Sequence, residues 1–173
     1  MLGEPRREPA IDRAKWIVNY WRNNTFINCW NMSDHESNAL WQIYCKSTDG
    51  VVLQTSYEKL NLIKGQHSLH QVTYPTPGSN KRTPTHTDLV TKKLPMYAYE
   101  NEVRIVHFDE NVEMQTAKGM QLAVDLEQYI ESIRVHPQAE PAFFSTVRSV
   151  VETYAPNFKG KVIWSDMKLG PPF

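Results

Sequence analysis

An α+β domain is the fold class this sequence predicts, and three observations point to it. Segments with helical and with strand periodicity interleave along the whole chain. The connections between them are of both kinds, hairpin-like and crossover-like, which implies a mixed β-sheet flanked by helices. The length, 173 residues, is enough to enclose one hydrophobic core. Residues 11–173 therefore read as a single globular domain behind a loose, charged and Pro-interrupted arm over 1–10.

The elements follow in order. Ile11 to Trp21 is helical, with Ala14, Ile17, Val18 and Trp21 at helical spacing. Thr25 to Trp30 is rich in strand formers and short, a buried strand. Asn31 to Glu36 is a polar turn in which Ser33 and Glu36 have capping-box spacing. A helix over Ser37 to Tyr44 follows, then the turn Thr48-Asp49-Gly50 and a strand over Gly50 to Gln54. Tyr57 to Leu62 reads as a short helix and His70 to Tyr74 as a strand. Pro75 to Pro84 is a loop carrying the basic pair Lys81-Arg82, and Thr85 to Thr91 a helix. Leu94 to Ala98 leads into a strand over Tyr99 to Phe108. Asp109 to Gly119 is a polar excursion and Met120 to Asp125 another strand. Leu126 to Ile130 is a short helix and Ser132 to His136 a strand that Pro137 stops. Ala139 to Tyr154 is the longest helix, with Phe143, Phe144, Val147, Val150, Val151 and Tyr154 on one face. Lys161 to Ser165 is the last strand.

Composition excludes several classes. At 40% hydrophobic and 11% aromatic residues, the chain has too much apolar material to be disordered. Nineteen Lys and Arg balance nineteen Asp and Glu, so no global field draws it to nucleic acid or an anionic membrane. Two cysteines, Cys29 and Cys45, make no disulfide scaffold and read as small buried hydrophobes. No apolar run approaches the ~18 residues of a membrane span, and the N-terminus lacks the apolar region of a secretory signal. A cytoplasmic protein with reduced thiols is expected. His67-x-x-His70 lacks a third ligand at a recognised spacing, so no metal is expected.

The stretch Tyr99 to Phe108 carries the strongest strand pattern and an unusual set of charges. Side chains two apart on a strand share a face, so Glu100, Glu102 and Arg104 are expected to project together, away from Val103 and Ile105. Such a row is a solvated ladder on an edge strand, the lining of a cleft, or a buried Glu102–Arg104 pair. Trp30 and Trp41 flank the polar turn holding Asn31, Ser33 and His35, either as core packing or as a wall that contacts a ring.

Several segments together resemble a known family. They are Phe26 to Asn31, Glu36 to Tyr44, Gly50 to Thr55, Tyr97 to Ile105, Ser132 to Pro137 and Val162 to Ser165. In this order they resemble the bacterial and phage domain-of-unknown-function family twenty-nine seventy-one, from about Phe26 to Ser165. A more distant similarity is to ADP-ribosyltransferase domains, which place a strand–helix–strand unit before an E-x-E-V segment, here Glu100-x-Glu102-Val103. Cys29-Trp30-Asn31 stands where those domains carry a Ser-Thr-Ser-like motif, and Arg104 where an aliphatic residue is usual. This second resemblance implies NAD as the substrate and a setting in bacterial or phage conflict. Glu102 would stabilise the oxocarbenium character that develops on the ribose, and Glu100 would orient or deprotonate a protein or nucleic-acid acceptor. Trp30, Asn31, Ser33, Tyr97, Tyr99 and Arg104 would be the NAD-contacting residues. The rival expectation is a non-catalytic protein- or nucleic-acid-binding module, drawn from the aromatic content and the Lys81-Arg82 loop.

Overall fold

The computed structural model describes residues 7–63, 65, 67–78, 84–110 and 119–169. In chain order the elements are α1 (Arg7–Asn23), β1 (Thr25–Asn31), α2 (Asn38–Tyr44), β2 (Val51–Gln54), α3 (Tyr57–Asn61), β3 (His67–Gln71), α4 (His86–Thr91), β4 (Glu102–Phe108), α5 (Leu126–Tyr129), β5 (Ser132–Val135), α6 (Pro141–Tyr154) and β6 (Val162–Trp164). Three 3-10 turns lie at Pro95–Glu100, Pro156–Lys161 and Asp166–Leu169. The class is α+β, and the described strands divide between two three-stranded sheets. Among the described residues no helix is long and apolar enough to cross a membrane.

The chain forms two compact units. The first takes the described residues within Met1–Met32 and Lys64–Leu122. Its sheet is antiparallel, in the order β1-β4-β3. β4 is therefore central, and Val103, Ile105 and Val106 are all buried, as a strand covered on both faces requires. β1 runs its full length against β4, from Thr25 opposite Phe108 to Asn31 opposite Glu102. Residues directly opposite share a face. One face thus carries Glu102, Arg104 and Val106 with Asn31, Cys29 and Ile27 from β1, and His70 from β3. The other carries Val103 and Ile105. Asn24, fully buried, ties the start of β1 to the end of β4: its Nδ2 donates to Asp109 O at 2.9 Å and its own carbonyl accepts from Asp109 N at 3.0 Å. α4 starts on a complete capping box between Thr85 and Asp88.

The second unit takes the described residues within Ser33–Ile63 and Ala123–Phe173. Its sheet has the order β2-β5-β6, antiparallel between β2 and β5 and parallel between β5 and β6. α6 makes the crossover that a parallel pair needs. It packs Phe143, Phe144, Val147 and Val151 against Val135, Ala139 and Val162. Pro141 stands in its first turn, where the missing N–H costs nothing.

Several sequence expectations change. The strand over Thr25 to Trp30 forms, but as an edge strand with none of its residues buried, and Cys29 on it is exposed. The helix expected from Ile11 begins at Arg7, inside the expected arm. The strand expected over His70 to Tyr74 is shifted to His67–Gln71, where β4 supplies a ladder. Met120 to Asp125 alternates like a strand but pairs with none among the described residues, and Asp125 instead caps α5. Ser37 caps α2 through Leu40 N, and the expected Ser33–Glu36 capping box does not form: the Ser33 hydroxyl bonds His35 O and the Glu36 carboxylate is held by Trp41, Ser165 and Asp166. The rest of the expected arm, the Lys81-Arg82 pair and most of the Asp109–Gly119 excursion lie outside the described residues.

Candidate functional site

Glu102 opens β4, and Glu100 ends the 3-10 turn before it. Sequence periodicity placed both on one strand, but Pro95 starts a turn, and Asn101 ends it in the left-handed region at φ 37°. The two carboxylates converge all the same, because one cation holds both. Lys93 Nζ donates to Glu102 Oε1 at 2.7 Å and also to Glu100 Oε2. Arg104 closes the other side of Glu102: its Nε and Nη2 both reach Oε2 at 2.6 Å. Its Nη1 donates to Val90 O at 2.5 Å, which fixes the guanidinium against α4.

The backbone around the cluster is equally engaged. Glu102 N donates to Tyr74 Oη at 2.9 Å, and Glu102 O accepts from Val72 N at 2.8 Å. Asn31 Nδ2 donates to Glu100 O at 2.5 Å. Asn101 Nδ2 donates to Met32 O at 2.5 Å, while Met32 N donates back to Asn101 O at 2.8 Å. Two carboxylates, one ammonium and one guanidinium thus form a charge-neutral, hydrogen-bonded quartet. Burying unpaired charges here would be prohibitive; burying paired ones is tolerable.

The electrostatics follow from the pairing. Burial alone pushes the Glu102 carboxyl up. The hydrogen bonds it accepts from Lys93 and Arg104 outweigh burial and take it down to about 2. For Lys93, burial works against the charge, and the bonds to Glu100 and Glu102 override it, so its pKa is raised. Cys29 sits opposite Arg104 in the register. Desolvation raises its pKa despite the nearby Arg104 and Lys93, so it is a protonated thiol and not an activated nucleophile.

The remaining candidates scatter. Trp30 pairs with Val103 and so lies on the opposite face from Glu102; its indole N–H donates to Asn28 Oδ1 at 2.5 Å. Asn31 does share the face of Glu102, but its amide is spent on Glu100 O. Ser33 belongs to the second unit, where its hydroxyl donates to His35 O at 2.8 Å. Tyr97 and Tyr99 stand on the 3-10 turn with their rings exposed, and Lys93 Nζ lies 4.9 Å from the Tyr97 ring centre. Sequence reasoning missed Lys93. A charge count hints at it, since two carboxylates and one guanidinium leave room for a second cation and Lys93 is the first basic residue preceding Glu100, but its place beside them is set by the turn between.

A cavity of about 230 Å³ in the first unit is lined by Val18, Trp21, Ile27 and Leu89 with Thr25 and His86 among others, and by none of the expected site residues. In the second unit Glu36 accepts from Trp41 Nε1 at 2.9 Å, Ser165 Oγ at 2.6 Å and Asp166 N at 2.8 Å, and pairs with Arg134 at 3.0 Å. That carboxylate joins α2, β5 and the chain after β6. Among the described residues no group of three or more His, Cys, Asp or Glu is placed to hold a metal ion. No family model, curated protein or solved structure matches the chain.

Proposed function

We propose that the chain is a non-catalytic protein-binding module that presents the 3-10 turn before β4 to its partner. One observation carries this reading: the Lys93–Glu100–Glu102–Arg104 quartet pins the turn from beneath, while Leu94, Met96, Tyr97 and Tyr99 above it are 40–67% exposed. Tyr and Met are enriched at the centres of protein interfaces, where rigid amphipathic rings contribute area at little entropic cost. A turn clamped by Asn101, Met32 and Glu100 loses little further freedom on binding. Zero net charge favours a protein partner over nucleic acid.

The ADP-ribosyltransferase-like reading keeps one favourable observation. Glu102 is ionised at neutral pH, as stabilisation of a ribose cation requires. Its two oxygens, however, are taken by Lys93 and Arg104, and Trp30 lies on the opposite face of the sheet. This occupancy favours the binding-module reading over NAD as a substrate. The test compares wild type with a Met96→Ser/Tyr97→Ser/Tyr99→Ser variant. A partner is captured, identified and rebound in purified form. Loss of that binding by a variant with unchanged thermal unfolding supports the proposal. Undiminished binding, or NAD cleavage that needs Glu102, overturns it.

A further inference from the structure

The sheet of the second unit ends on an edge that is unusual for a solitary protein. β2 reads Val51-Val52-Leu53-Gln54, and all four residues are exposed. Edge strands are normally blunted with a charge, a proline or a bulge, because their free N–H and C=O groups template further pairing. β2 has none of these. Val51 and Leu53 also lie opposite Val135 and Ile133, on the face that α6 covers. Val135 is fully buried, while Val51 and Leu53 are 43% and 46% exposed. Among the described residues, the hydrophobic face of this sheet thus runs past the helix and stops uncovered at the β2 edge.

The ladder determines which backbone groups are free. Gly50 O accepts from His136 N at 3.0 Å. Hydrogen-bonded positions alternate along an antiparallel pair, so Gly50 and Val52 turn their peptide groups toward β5. Val51 and Leu53 turn theirs outward.

We propose that β2 is a self-association edge. Two copies pair β2 to β2, antiparallel about a two-fold axis at Val52, and join their three-stranded sheets into one. In this register Val51 of each copy exchanges both hydrogen bonds with Leu53 of the other, giving about four backbone bonds. Val52 stands opposite its own symmetry mate. A second copy fits better than an unrelated strand because the register is self-complementary. It uses every outward peptide group of Val51 and Leu53, sets neutral apolar side chains against each other, and continues the α6-covered face across the axis. The sequence has no net charge to oppose it.

Sedimentation of the whole chain up to about 100 µM, a range that detects micromolar affinity, is the first test. Self-association to twice the 20.1 kDa chain mass is expected, with Leu53→Lys returned to monomer. Register is tested in a Cys29→Ser/Cys45→Ser background. The Val52 positions would face each other as a non-hydrogen-bonded pair with Cα atoms about 4.5 Å apart, within disulfide reach. Val52→Cys should therefore cross-link under mild oxidation at least tenfold faster than Val51→Cys, whose mates are diagonal at about 7–8 Å. Circular dichroism checks that each variant is folded. A chain that stays monomeric throughout, a dimer indifferent to Leu53→Lys, or equal cross-linking at the two positions overturns the proposal.

Discussion

Replacing Lys93 by Met is the most informative perturbation of the quartet. The substitution keeps the aliphatic stem and removes the ammonium that bridges Glu100 and Glu102. Two carboxylates whose side chains are each 8% exposed are then left with Arg104 alone, which reaches only Glu102. Removing one partner of a buried ion pair typically costs about 3–5 kcal/mol. The Lys93 side chain is 23% exposed, so water partly replaces it, and about 2–4 kcal/mol is the expected loss of unfolding free energy at pH 7. The pH dependence carries the second half of the prediction. Without Lys93 the Glu102 carboxyl loses one of the donors that hold it down and titrates higher, and its protonation relieves the repulsion from Glu100. The gap between variant and wild type should therefore narrow as pH falls from about 5 toward 2. Urea unfolding followed by tryptophan fluorescence at a series of pH values measures both. A loss below about 1 kcal/mol, or a loss that does not change with pH, refutes the view that Lys93 neutralises buried charge.

Other outcomes follow from the same geometry. The folded pKa of Glu102 is about 2, below its unfolded value, so its contribution is complete above about pH 4.5 and is lost as pH falls through 2. Wild type should lose about 2–3 kcal/mol across that window, and Glu102→Gln should lack this part of the slope in acid titration of unfolding. Asn101→Ala removes the bond to Met32 O and puts alanine at φ 37°. A cost of about 1–2 kcal/mol is expected, with Asn101→Gly recovering the backbone part in denaturant unfolding. A Cβ at Gly50 would collide with the Cys45 sulfur and lie 3.2 Å from its Cβ. Gly50→Ala should cost about 1–3 kcal/mol, and adding Cys45→Ala should restore most of it; a double variant no better than the single one would contradict this steric origin.

Much of the fold was legible because local signals agreed with the tertiary outcome. β1, α2, β2, α4 and α6 lie within a few residues of where periodicity and capping put them. The exceptions share a cause: periodicity describes one segment, whereas a ladder needs two. Met120 to Asp125 has the pattern without a partner, and His67–Gln71 found a partner its pattern hardly advertised. The division of the strands between two sheets is likewise a matter of pairing, invisible to alternation. At the site, Glu102 and Arg104 were legible as neighbours on one face, and their buried pairing was among the readings left open. The role of Lys93 was not legible, because it depends on the sharp reversal at Pro95 and Asn101 that folds the chain back on itself. The same reversal removed Glu100 from the strand while keeping it beside Glu102. Trp30 fell on the wrong face by one residue of register, since each step along a strand flips the side chain.

In the proposed function, Glu100 and Glu102 serve architecture beneath an exposed binding turn. The most direct test of this claim is nicotinamide release from labelled NAD by the purified chain, alone and with cell lysate, beside a folded Glu102→Gln variant. Carboxylates closed by Lys93 and Arg104 predict release no greater than the buffer background for both proteins. Release by wild type that the Glu102→Gln variant loses would contradict the claim and return Glu102 to catalysis.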